Sequence, residues 1–305
     1  MAAYTHFSNV AYRTKMMLMV WVSLLWISDL PNILFYYLIG PVPTWLIYVK
    51  FGLMLLYTGI CLIMKGFKPV LPYAFFMLVF IGGVMALDWV KVQDWWQDWL
   101  PRAETSFFWG YAKIYIRDIV LVLLVIIAMW LVKRKRASFF LTSGEWQAPI
   151  DPVRWLGIKS GESWRFFGWI FGLTAMLAVA IPTLLSMSIT KEQLIRAIPL
   201  IPAALLFAGI NAFNEEMYYR APMLSTLPRL IGKQQAMLFN AIFFGMAHFL
   251  YGSPPGVIGA AMTGFLAWLI CKSMLETKGL AWPWLIHFLP DAMIFFSYAL
   301  LFVRG

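Results

Sequence analysis

Nine apolar runs, most of them close to the length of a bilayer crossing, constrain this chain more than any other feature. They lie at about 16–40, 45–64, 70–87, 112–132, 166–189, 197–214, 236–252, 256–275 and 281–303. About twenty apolar residues in a helix cross the hydrocarbon core. Backbone polar groups there must be satisfied within the chain, which favours helices. The sequence therefore predicts an all-α fold, a polytopic transmembrane helical bundle of about 8–9 spans. The third and seventh runs are short, and Asp29 and Pro31 interrupt the first. Composition agrees: 62% of residues are hydrophobic and 12% charged, against about 25% charged in soluble domains. The net charge of +10 then reads as loops facing anionic lipid, not as a nucleic-acid surface. Cys61 and Cys271 both lie inside apolar runs, so no disulfide framework is expected. The first run continues past signal-peptide length, and no cleavable signal is expected either.

Most of the 24 Lys and Arg residues fall in 1–15, 65–69, 133–165, 215–235 and 272–280. The positive-inside bias then puts the N-terminus in the cytoplasm and the C-terminus outside. The basic run Lys133-Arg134-Lys135-Arg136 follows the fourth span as a cytoplasmic anchor. The absence of eukaryotic sorting signals favours a prokaryotic plasma membrane. Segment 88–104 carries Trp89, Trp95, Trp96 and Trp99 among charges and reads as a helix lying in the outer interface. Segment 137–165 reads as a cytoplasmic linker.

Charged groups at membrane depth are costly and tend to be functional. The densest such cluster is Asn214-Glu215-Glu216-Met217-Tyr218-Tyr219-Arg220, at the end of an apolar run. Glu216 and Arg220 are four apart and can pair on one helical face. Glu215 is turned from Glu216 by about 100°, so it is free to take a proton. Asn211, four residues before Glu215, shares its face. Of the three histidines, His6 lies in the polar N-terminal tail and His248 and His287 fall inside spans. Phe244 precedes His248 by four residues, placing a ring over the imidazole, and Gly245 and Ala247 permit close helix approach. Asp291 follows His287 by four, where a carboxylate can orient the ring or bind a metal beside it. Pro290 is expected to kink that span.

These three patterns, in this order, resemble the CAAX protease and bacteriocin-processing family of intramembrane endopeptidases, which includes the Ras-converting CAAX endopeptidase. The family is marked by E-E-x-x-x-R, F-x-x-x-H and H-x-x-x-N or D. Here they read Glu215 to Arg220, Phe244 to His248, and His287 to Asp291. The resemblance covers about residues 165–305, the expected catalytic membrane core. Residues 1–164 form an N-terminal transmembrane extension that does not match it. The resemblance implies that Glu215 is the base that activates water and that His248 and His287 complete the site. Glu216 and Arg220 support it, Phe244 packs against it, and Asp291 stands where many members carry Asn.

Peptide hydrolysis needs an activated water and a proton for the leaving amine, roles a glutamate can fill in turn. Histidines can stabilise the developing oxyanion. In a second version His248, His287 and Asp291 hold a zinc ion, with Glu215 as base. The expected partners are a membrane-anchored peptide or protein substrate and the lipid bilayer. Two other classes stay open. One is a non-enzymatic scaffold on the same fold. The other is a transporter whose path is lined by Asp29, Lys50, Arg117, Asp118 and Lys272, with helices broken at Pro31 and Pro290.

Overall fold

The computed structural model describes residues 10–101, 105–132, 135–252 and 254–304. His6, Lys133, Arg134 and the end of the Trp-rich segment at 102–104 lie outside them. The described residues are helical throughout, apart from turns, short 3-10 pieces and two isolated β-bridges. The helices are α1 (Val10–Ile27), α2 (Leu30–Leu38), α3 (Leu46–Ile63), α4 (Leu71–Lys91), α5 (Asp94–Trp99), α6 (Phe107–Leu131) and α7 (Trp164–Ser186). They continue as α8 (Lys191–Ala197), α9 (Ile201–Glu215), α10 (Ala221–Ile231), α11 (Lys233–Ala247), α12 (Val257–Thr277) and α13 (Ala281–Phe302).

Among the described residues, seven helical stretches are long and apolar enough to cross a membrane, or up to eight if the bent pair α1–α2 is one span. This is an all-α polytopic membrane protein, with one or two candidate crossings fewer than the nine apolar runs. The run at 236–252 is one that drops out. It is α11, 15 residues long. At 1.5 Å per residue that length falls short of a hydrocarbon core of about 30 Å. Seven crossings would keep the expected external C-terminus, and eight would return the chain to its starting side.

The chain forms two compact units. The first comprises Met1–Ala86, Leu124–Phe139 and Tyr218–Cys271. Its α1 packs against α2, α3 and α10, and α10 against α11. The α1–α2 pair bends by 46°. Pro31 stands in the first turn of α2, where its missing N–H costs nothing and cannot extend α1, and the chain turns at Ser28–Asp29. Asp29 accepts from Asn32 at 2.8 Å and from Lys50 at 3.5 Å. Gly245 on α11 lies so close to α12 that a Cβ there would sit 2.5 Å from the Ala260 carbonyl oxygen.

The second unit comprises Leu87–Leu123, Phe140–Met217 and Lys272–Gly305. Both units therefore draw on chain from either side of position 164. In the second, α13 packs against α7 and α9. Gly168 and Gly172, four apart on α7, allow the approach. A Cβ at Gly168 would lie 2.2 Å from the Trp282 ring, and one at Gly172 2.6 Å from Leu289 Cδ1. This is how small residues bring membrane helices together. Trp284 on α13 donates to the Gly209 carbonyl on α9 at 2.8 Å. α13 continues as one helix with Pro290 inside it. Segment 140–163 is not an open linker. It docks on the loop at 277–281 through Glu145 N–H to Thr277 O (2.8 Å) and Leu280 N–H to Thr142 O (2.8 Å).

Candidate functional site

The two glutamates stand where helical geometry changes. α9 ends at Glu215, and Glu216–Arg220 form a π-helical turn before α10. Pro222, near the start of α10, has no N–H for the Tyr218 carbonyl and its ring crowds that oxygen. A wider turn relieves both conflicts, and such turns recur at functional sites. Sequence reasoning took the whole stretch as regular α-helix.

Four polar side chains meet beside this turn in the second unit. His287 Nδ1 lies 2.8 Å from Glu216 Oε1. Its Nε2 lies 3.5 Å from Glu215 Oε2 and 3.7 Å from Asp291 Oδ2. Glu216, His287 and Asp291 are all buried. Two adjacent acids thus face opposite nitrogens of one imidazole. The rotation between neighbouring helical residues, expected to send Glu215 and Glu216 to different tasks, lets them straddle the ring. A carboxylate can only accept, so the Glu216 bond puts a proton on Nδ1. That leaves Nε2 facing Glu215 and Asp291.

Asn211 extends the cluster, donating through Nδ2 to Asp291 Oδ2 at 2.9 Å. Tyr115, on α6, approaches Asn211 Oδ1 at 3.2 Å. Sequence reasoning missed Tyr115, which carries no motif and lies 96 residues from its partner. Asn214 was quoted but given no role. Its side chain is buried, and neither amide atom has a hydrogen-bond partner among the described residues. Such groups are costly to keep.

Three other motif residues, Arg220, Phe244 and His248, lie together in the first unit. The fully buried Arg220 guanidinium lies over the Phe244 ring at 4.1 Å. The Phe244 and His248 rings are 4.4 Å apart and tilted by 46°, so they touch without stacking flat. His248 Nδ1 is 3.0 Å from the Phe244 carbonyl, which leaves Nε2 as its outward nitrogen. Asn240 donates to the Tyr219 carbonyl at 2.8 Å and so braces the π-helical turn.

Among the described residues no three His, Cys, Asp or Glu side chains are grouped to hold an ion. The ring of His287 is already engaged on both nitrogens by carboxylates. The groups suggested for a transport path are mostly locally paired: Lys50 with Asp29 at 3.5 Å, Arg117 with Asp118 at 2.9 Å, and Lys272 with Glu276 at 2.6 Å. Such pairing explains charges at these depths without a path.

The helices and this buried cluster define an integral membrane protein with carboxylates and an imidazole assembled in its interior. Residues 197–293 match the family model described as "Type II CAAX prenyl endopeptidase Rce1-like". The match spans all three motifs and less than half of the chain, and it agrees with the resemblance those motifs carry. No curated protein and no solved structure matches the chain.

Proposed function

We propose that the protein is an intramembrane endopeptidase that hydrolyses a peptide bond of a membrane-associated protein or peptide. The observation that carries this reading is the His287 ring held between Glu215 and Glu216 inside the matched stretch. Glu215 is the base. Its Oε2 lies 3.5 Å from His287 Nε2 and makes no hydrogen bond among the described residues, which leaves lone pairs to accept a proton from water. The hydroxide adds to the substrate carbonyl, and the C–N bond breaks as Glu215 returns the proton to the leaving amine. His287, held through Nδ1 by Glu216, offers Nε2–H to the developing oxyanion in its imidazolium form, with a proton on each ring nitrogen. Asp291 and Glu216 hold that ring in register. The motif carry-over gives His248 a part in catalysis and gives Arg220 and Phe244 a supporting one.

The steps above use side chains alone, and the zinc-assisted version stays as the alternative. The substrate class suggested by the family description is a prenylated CAAX tail. The membrane assigned is a prokaryotic plasma membrane, with the N-terminus cytoplasmic. The test is cleavage of a prenylated and an unprenylated membrane peptide by purified protein and by Glu215→Ala, His248→Ala and His287→Ala. Loss in all three variants supports the reading. Cellular function that survives all three would point to the scaffold instead. Chelation followed by zinc add-back separates the metal-free route from the metal-assisted one.

A further inference from the structure

Tyr115 lies on α6, outside the stretch that matches the family model. It is 7% exposed and its ring is fixed by packing. It stacks on Phe207 at 5.6 Å with an interplanar angle of 16° and leans on Phe295 at 5.8 Å. These rings belong to an apolar cluster with Ala204, Ala208 and Ala299. Only the hydroxyl is turned to polar company, 3.2 Å from Asn211 Oδ1.

The hydrogen bonds that follow have a fixed direction. Asp291 as a carboxylate can only accept, so Asn211 must present its NH2 to it. The amide oxygen then faces Tyr115, and the hydroxyl must donate. An amide with one end free can rotate or flip, whereas one held at both ends cannot. We propose that Tyr115 is a positioning residue for the site: through Asn211, its hydroxyl holds Asp291 beside His287. This inference rests on the endopeptidase reading for its catalytic consequence but not for its structural one. A helix from the extension would then be part of the site's support.

Tyr115→Phe keeps the ring and removes only the donor. The expected result is a fall in kcat of roughly five- to tenfold with KM unchanged, the range for one buried hydrogen bond. In the double variant Tyr115→Phe/Asp291→Asn, the loss should be no greater than in Asp291→Asn alone. A merely structural role would make the two losses multiply. A second readout needs no turnover. The chain has only three histidines, so the ring resonances of 15N-histidine-labelled protein can be assigned by single substitution. Tyr115→Phe should move those of His287 and leave those of His248 in place. Unmoved His287 resonances, or multiplying losses, would overturn the proposal. If the wild type cleaves nothing but the His287 resonances move, the endopeptidase reading falls and the positioning role stands.

Discussion

Glu216 Oε1 lies 2.8 Å from His287 Nδ1, closer than Asp291, the acid that shares a helical face with that ring, at 3.7 Å. The contact joins the π-helical turn after α9 to the middle of α13. It fixes which nitrogen of His287 carries a proton and which one meets Glu215. The two glutamates therefore differ in kind: one holds the ring, and the other faces it across 3.5 Å.

Substituting the two acids should separate these roles. Glu215→Gln removes the base and should lower kcat by about 10²–10⁴-fold. Glu216→Gln keeps an oxygen acceptor but loses the charge, and should cost roughly 10- to 100-fold, the range for a charge-assisted hydrogen bond. Steady-state kinetics on a cleavable membrane peptide would check both. Equal losses would argue against distinct roles.

The approach of α7 to α13 depends on Gly168. Gly168→Ala would press a methyl group into the Trp282 ring, which is itself buried. Overpacking of this kind destabilises by about 1–3 kcal/mol. Gly59→Ala, where nothing lies within 4 Å of the added carbon, should leave stability unchanged or raise it slightly. Thermal unfolding in detergent micelles would compare the two.

Lys272 and Glu276 form a buried pair whose side chains are each 5% exposed. Glu276 also accepts from the Trp164 indole at 2.9 Å, and Lys272 donates to the Asp151 carbonyl at 2.8 Å. Glu276→Ala strands the lysine, and breaking such a pair costs about 3–5 kcal/mol. The double variant Lys272→Met/Glu276→Leu should recover part of the loss. The melting temperatures of the two variants test the pair directly.

If the bent pair α1–α2 is one span, the candidate crossings number eight and both ends of the chain lie on one side of the bilayer. Reporter fusions at the two ends should then respond alike, and opposite responses would mean that an odd number of helices cross.

The crossings themselves were legible because hydrophobic length is a local property. The exception was α11, whose apolar run forms a helix of 15 residues, too short to cross. The motif pairs within one helix, Phe244 with His248 and His287 with Asp291, were also legible, since a spacing of four places side chains on one face.

The sequence by itself determined that the chain is a helical membrane protein, where its polar residues concentrate, and which short-range pairs share a face. Each of these follows from the helical period and the cost of burying charge. Only the tertiary structure decided that Glu216 holds His287, that the diacid sits at a π-helical turn, and that Tyr115 reaches Asn211 from α6. Those contacts join residues 71 and 96 positions apart. They depend on how each helix is rotated about its axis, which packing across the bundle sets and local spacing does not encode.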